Sequence, residues 1–425
     1  MSRYSKRLLD FINENQDCEP DKLLLTHSGK HEFDVKLAVN TIEGRKRMLK
    51  KMPEWANREM IYPTSICTEQ SSSYHTGLFK QKIFQNASVV ADLTGGIGVD
   101  SYYASQVAER VVIFEKNKIL AEAAGHNFKI LKRNNIRVNN TEISQSNISD
   151  LLSKAFEGDT QKENRLVFVD PSRRGAKGER SYSITDYEPN ILDIKDTILK
   201  YSSRLLIKVS PMADITKTLN QLGGCSKVLV VSVYNECKEL LFYIDINDYS
   251  LNTENVPIEA WNLTKSGNWQ TLSFSIKEEK STDIEFQNPS SGQFLYEPNT
   301  SIIKAGGFKI TAKRFSLSKI SVNSHLYLSD EYTADFQGRV FNILEIFNFD
   351  KRDIKKITNS YPKASVAVRN FPLSAQELRE RLKIEEGDEF FLFGTHLPNN
   401  QRKIIICKKL DQLSIFSPFE SNQIT

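Results

Sequence analysis

The sequence predicts an α/β protein. A mostly parallel sheet wound with helices ends in an antiparallel strand pair, with a helical region before it and smaller α+β modules after it. Three observations lead there. Short apolar runs that suit buried strands alternate with helical stretches between residues 89 and 222. One such run, Val89-Val90-Ala91, leads into a glycine-rich turn that opens a helix. The last two strands, 227–234 and 240–246, are joined only by Asn235-Glu236-Cys237-Lys238-Glu239, a connection so short that they must be antiparallel.

Taken in order, residues 1–65 read as helical, with Leu8-Leu9, Phe11-Ile12, Leu23-Leu24-Leu25 and Leu37-Ala38-Val39 as the apolar positions. Arg45-Lys46-Arg47 and Lys50-Lys51 form a basic cluster, either a solvated helix face or a phosphate-binding face. Glu69-Gln70-Ser71-Ser72-Ser73 offers hydroxyls to cap a helix over 76–85, and it stands where it could line a ligand site. Asp92 ends the first strand, Gly95, Gly96 and Gly98 make the loop, and a helix follows over 100–109. The second strand, Val111-Val112-Ile113-Phe114, ends in Glu115, and a later one, Arg165-Leu166-Val167-Phe168-Val169, ends in Asp170-Pro171-Ser172-Arg173-Arg174-Gly175. A helix over 191–201, a strand over 205–209 and a helix over 213–222, stopped by Gly223-Gly224, complete the alternation.

Beyond residue 250, polar segments 262–269 and 287–293 separate short strands such as 271–276 and 326–328. A strand over 339–347 and a helix over 350–360, carrying Lys351, Arg352, Lys355 and Lys356, come next. The pattern closes with a strand over 364–369, a helix over 374–382 capped by Ser374, and strands over 389–393 and 403–408.

The strand, glycine turn and helix start together suit a ribonucleoside-type ligand, because glycines allow close backbone approach and free amides face the ligand. A carboxylate at the tip of the second strand, Glu115, is placed to accept hydrogen bonds from two ribose hydroxyls. Asp92 at the head of the loop would repel a pyrophosphate and suits a ligand with an ammonium or sulfonium group. Asp170 marks a third strand end at the sheet edge where such folds keep their ligands, and Arg173 and Arg174 beside it suit a phosphate or carboxylate.

At 425 residues, with 39% hydrophobic and 26% charged residues, the chain suits two or three globular domains. No run approaches the ~20 apolar residues of a membrane span, and the N-terminus lacks a signal-peptide core, so a cytoplasmic protein is expected. The five cysteines are scattered, which argues against a disulfide frame or zinc site. His27 and His31 have helical metal-ligand spacing, but Ser28-Gly29 weakens that helix, and no metal is expected. A net charge of +4 does not by itself demand nucleic acid.

The segment Asp92-Leu93-Thr94-Gly95-Gly96-Ile97-Gly98 resembles the first motif of class I S-adenosylmethionine-dependent methyltransferases, and Glu115 matches that family's ribose-binding acid. Asp170-Pro171-Ser172-Arg173 resembles the fourth motif, often Asp/Asn-Pro-Pro followed by an aromatic residue; Ser172 and Arg173 depart from it and leave the acceptor atom open. Over nearly its full length the chain resembles a bacterial family of these enzymes with a ferredoxin-like segment and a THUMP-like domain at the C-terminus. The likeness also rests on Glu69-Gln70-Ser71-Ser72-Ser73, on Arg369-Asn370-Phe371-Pro372, and on the Gly387 turn leading to Phe390-Phe391-Leu392-Phe393-Gly394-Thr395.

The resemblance implies a Rossmann-like methyltransferase sheet and four regions: helical 1–65, catalytic 66–250, ferredoxin-like 251–325 and THUMP-like 326–425. It implies S-adenosylmethionine bound by Asp92, Gly95, Gly96, Gly98, Asp100 and Glu115, with Asn147, near the end of the third strand, on the adenine. Asp170 and Pro171 become the catalytic candidates, and Ser172, Arg173 and Arg174 the substrate contacts. Genuine THUMP domains bind tRNA, so an RNA substrate, tRNA among the possibilities, is implied. Methylation at C5 of a pyrimidine needs a cysteine, and neither Val209-Ser210-Pro211-Met212 nor Asp170-Pro171-Ser172 has one. Direct in-line transfer to a base nitrogen is the reading. A small-molecule or protein methyltransferase, or a non-enzymatic cofactor binder, is the alternative.

Overall fold

The computed structural model describes residues 4–410 apart from 56, 58, 174–183 and 400. Two compact units result, Met1–Val233 with Lys238–Val256, and Tyr234–Cys237 with Pro257–Thr425.

The first unit begins with helices α1 (Lys6–Glu14), α2 (Pro20–His27) and α3 (Val35–Lys51). Asp34 starts α3 by accepting from the Lys36 and Leu37 amides. Leu8, Phe11, Ile12, Leu23, Val39 and Ile42 bury against one another in a core that also takes in Ile61 and Ala123. The short α4 (Ser65–Glu69) and then α5 (Tyr74–Phe84) follow, the latter opened by a reciprocal Ser73–Thr76 capping box. Of the hydroxyls before that helix, Ser73 caps it, while Ser71 donates to the Thr68 carbonyl.

The sheet of this unit is built from β1 (Val89–Asp92), β2 (Arg110–Phe114), β3 (Ile136–Asn139) and β4 (Arg165–Val169). The two-residue β5 (Ser172–Arg173) and β6 (Tyr187–Glu188) pair with each other apart from it. Then come β7 (Arg204–Val209), β8 (Lys227–Val233) and β9 (Glu236–Asp245), giving the order β8-β9-β7-β4-β1-β2-β3. Pairs β1–β2, β1–β4, β2–β3 and β4–β7 are parallel, and β9 runs antiparallel to β7. Every residue of β1 is buried, as expected for a central strand covered by helices on both faces. The connecting helices are α6 (Val99–Ala104), α7 (Lys118–Ile130), α8 (Ile148–Ala155), α9 (Ile191–Tyr201) and α10 (Ile215–Leu222), the last stopped by Gly223 in the left-handed region.

Three expectations change. The helix after the glycine loop stops at Ala104 rather than reaching 109. The β8–β9 connection is the two residues Tyr234 and Asn235, with φ of 54° and 66°; both in the left-handed region make a tight hairpin turn, so Glu236 already belongs to a strand. Glu236 and Lys238 face solvent in alternation, which disguises that strand as a polar loop. Asn147 is not at the end of the third strand, which stops at Asn139; it is the residue just before α8.

In the second unit, β10 (Pro257–Leu263) and β11 (Trp269–Ser275) form a hairpin that takes Asn262 out of the expected loop. The helices α11 (Ile276–Ser281), α12 (Thr300–Ala305) and α13 (Phe308–Phe315) accompany β12 (Phe294–Pro298), β13 (Ser318–Lys319) and β14 (Tyr327–Ser329). The chain ends in β15 (Gly338–Asn348), α14 (Lys351–Ser360), β16 (Ser365–Arg369), α15 (Ala375–Leu382), β17 (Phe390–His396) and β18 (Arg402–Lys409). A seven-stranded sheet runs β13-β14-β12-β15-β18-β17-β16. Alternation along β18 splits its core: Ile404 and Ile406 pack with Ile357, Leu378 and Leu382 of the helices, while Ile405 and Cys407 pack with Leu295, Phe341 and Phe393. The buried Glu297 of β12 takes Arg339, at 2.7 Å through Nε, and Arg369, so the Arg369-Asn370-Phe371-Pro372 motif serves here as a staple between strands.

Candidate active site

Strand ends gather the candidate residues. Asp92 is the last residue of β1, Glu115 follows β2, and Asp170 follows β4, all at the carboxyl edge of the parallel strands, where open α/β sheets hold ligands. Asp92, Gly95, Gly96, Gly98, Asp100, Glu115, Asp170 and Ser172 line one cavity of about 440 Å³. That volume lies in the range of small-molecule and cofactor sites.

The loop is held from within. A Cβ on Gly95 would lie 2.1 Å from Ile113 Cγ2, so the loop packs on β2 only because that residue is glycine. Gly98 has φ 87°, and a Cβ there would also strike Phe128 at 2.2 Å. Asp92 Oδ1 accepts from the Thr94 amide (3.0 Å) and Oδ2 from the Ser101 hydroxyl (2.6 Å). The Thr94 hydroxyl in turn accepts the Asp170 amide at 2.7 Å and fixes one motif against the other. Glu115 accepts the Gly96 amide (2.7 Å) and the Asn117 amide (2.7 Å), which uses two of about four acceptor sites and leaves the rest for a ligand.

Burial, with Asp100 and Asp170 nearby, pushes the Asp92 carboxyl up to about 7 despite its hydrogen bonds. Asp100 also turns inward: Oδ2 accepts from the Ser72 hydroxyl at 2.9 Å and Oδ1 lies 3.2 Å from Lys80 Nζ. Burial opposes its charge, but Lys80 and Lys208 overcome this and hold it below the ordinary carboxylate range. Asp170 Oδ2 accepts from Lys208 Nζ at 2.6 Å.

Other candidates fare differently. Pro171 is buried and is not among the residues that line the cavity. The Asn147 amide closes the turn before α8, accepting from the Ser144 amide and donating to the Glu142 carbonyl, and it does not line the cavity. Arg173 pairs through its backbone with Tyr187, and Arg174 lies outside the described residues. The ring nitrogens of His27 and His31 are 3.1 Å apart, and among the described residues no group of three or more His, Cys, Asp or Glu side chains is arranged to hold a metal ion.

The basic cluster of α3 is largely structural. Arg47 donates to the Ser65 carbonyl and Thr68, and Lys51 to the carbonyls of Thr68 (2.9 Å) and Glu69 (2.8 Å). Those bonds fasten α4 and the segment after it, from which Gln70, Ser71 and Ser72 line the cavity. Burial, then Lys208, Arg47 and Lys238, pulls Lys51 down to about 8.

Sequence reasoning missed the buried ions behind the wall. Lys80 on α5 is fully buried and donates to both oxygens of Glu239 at 2.6 Å. Lys208 carried a signal, as a lysine inside the apolar run of β7. Lys80 and Glu239 carried none, because each looks like an ordinary surface charge. Among the described residues, six carboxyl groups line the cavity (Asp92, Asp100, Glu115, Glu142, Asp170 and Glu188) against one cation, Lys116. Such a wall disfavours a pyrophosphate and fits a ligand with positive groups.

Comparison with known proteins shows the family of the chain. The model of a ferredoxin-like domain matches residues 294–336, and that of a THUMP domain-like domain matches 338–409. No curated protein matches the chain. Among solved structures, a protein of Porphyromonas gingivalis W83 described as a "putative methyltransferase" is 32% identical, with 95% of this chain and 98% of that one covered and a TM-score of 0.84. An rRNA methylase from Streptococcus thermophilus is a more distant match, at 15% identity over 40% of this chain and 94% of that one, TM-score 0.28. A Streptococcus mutans protein, described as a "putative methyltransferase" in complex with SAH, is similar at 16% identity over 40% and 95%, TM-score 0.28. The extent and identity of the Porphyromonas match decide the matter: the chain belongs to the family of class I methyltransferases that carry a ferredoxin-like and a THUMP-like domain at the C-terminus.

Proposed function

We propose that the protein is an S-adenosylmethionine-dependent methyltransferase acting on a base nitrogen of RNA, with tRNA the first substrate to try. The acidic cavity at the ends of β1, β2 and β4 carries this reading. Glu115 has acceptor capacity for ribose hydroxyls, and Asp92 provides negative charge for the ammonium or sulfonium of the methionine end. When bound, the cofactor supplies a methyl group on a cationic sulfur. The residues of the chain orient the acceptor and take up charge. Asp170 would accept a hydrogen bond from the nitrogen that is methylated, and Ser172 would contact the substrate beside it. Asn147 is set aside, since its amide is spent on the turn before α8.

The THUMP-like domain supports RNA, and the exposed Lys351, Arg352 and Lys355 on α14 offer phosphate contacts. Lys356 contributes less, because it pairs with Asp353 at 3.1 Å. Filter binding of tRNA and ribosomal RNA at several salt concentrations tests the substrate class. A steep fall of affinity with salt is expected; no salt-sensitive affinity would move the reading to a small-molecule or protein substrate.

A further inference from the structure

We propose that Lys208 is a positioning residue for methyl transfer: it ties one oxygen of Asp170 so that the other is presented to the acceptor. This rests on the methyltransferase reading above. Lys208 lies in β7 among Leu205, Leu206, Ile207 and Val209, all of them buried. An ammonium in such a strand is costly unless anions surround it. Burial pulls its proton affinity down, but Asp170, Asp100 and Glu239 overcome this and hold it well above the ordinary lysine range. Lys208 is therefore a permanent cation.

Lys208 balances charge in this group, and its hydrogen bond adds a direction. Glu239 already receives Lys80 on both oxygens at 2.6 Å, and Asp100 receives Lys80 and Ser72. The hydrogen bond from Lys208 goes to Asp170, which is the half-exposed member of the group and lines the cavity. The Asp170 backbone is pinned independently, by its amide on the Thr94 hydroxyl at 2.7 Å. With the backbone and Oδ2 both fixed, Oδ1 keeps one direction. In-line transfer depends steeply on such alignment. Lys208 needs no contact with substrate or cofactor to act in this way.

The test uses the full-length protein with tritiated S-adenosylmethionine and RNA from cells lacking the gene. Lys208→Met should lower turnover about tenfold or more while cofactor affinity by calorimetry changes less than about threefold, and Lys208→Arg should recover part of the loss. In an Asp170→Asn background the same Lys208→Met change should cost less than about twofold, because the two residues act as one unit. Normal turnover in Lys208→Met, or an undiminished cost in the Asp170→Asn background, overturns the proposal. If Lys208→Met does not fold, Lys208→Gln, which keeps a hydrogen-bond donor, replaces it in the same cycle. A wild-type protein that binds the cofactor but methylates none of this RNA overturns the RNA reading itself, and the role of Lys208 falls with it.

Discussion

Asp92→Asn should make the protein more stable, and more so as the pH rises. The unfolded chain ionises this carboxyl near 3.8, whereas burial moves it to about 7 in the fold. Between those values the folded state keeps a proton that the unfolded state has released, so wild-type stability falls as pH rises through the window and levels off above it. Asparagine removes the ionisation and keeps the contacts: its oxygen still accepts the Thr94 amide, and its amide can donate to Ser101, whose hydroxyl turns to accept. At about 1.4 kcal/mol per unit, the variant's advantage should approach roughly 4 kcal/mol above pH 7 and widen by about 2 kcal/mol between pH 5.5 and pH 8. Urea unfolding at both pH values measures it, followed through the transition that S-adenosylmethionine shifts. A gap that stays constant with pH refutes the reasoning. The same variant should bind the cofactor more weakly, while wild-type affinity rises with pH through about 7 as Asp92 gains its charge.

Further outcomes follow from other residues. Glu115→Ala removes acceptors for two hydroxyls and for the Gly96 and Asn117 amides, and should weaken S-adenosylmethionine binding roughly 10- to 150-fold by calorimetry. Asp170→Ala should lower turnover about 10²-fold with little change in cofactor affinity, a split that steady-state kinetics and calorimetry resolve together. Lys80→Met leaves Glu239 and Asp100 buried without their main partner, and should cost about 3–5 kcal/mol in thermal or denaturant unfolding. Reversing Lys351 and Lys355 to Glu should shallow the salt dependence of RNA binding by about 0.7–0.9 per lost phosphate contact and leave cofactor binding unchanged.

The parallel strands were legible because burial on both faces writes them as continuous apolar runs, and Val89–Asp92 and Arg165–Val169 emerged close to where they were expected. Their terminal acids were legible for the same reason, as the first charge after each run. What escaped was set by tertiary context. The tight turn at Tyr234 and Asn235 was hidden because tyrosine is an unusual residue with positive φ, and the strand after it alternates charge with burial. Asn147 looked free to meet a ligand, but a short polar side chain next to a helix start finds backbone partners first. Lys80 and Glu239 are 159 residues apart in sequence, and only the fold makes them a pair. Arg47 and Lys51 belonged to a cluster whose two readings were solvent and phosphate; the structure gave them to the carbonyls around α4 instead.

Mass spectrometry of RNA nucleosides from cells with and without the gene tests the central claim most directly. The account predicts that one methylated nucleoside disappears with the gene, returns with the wild-type copy, and does not return with Asp170→Ala. Identical nucleoside profiles in all of these cells would contradict it.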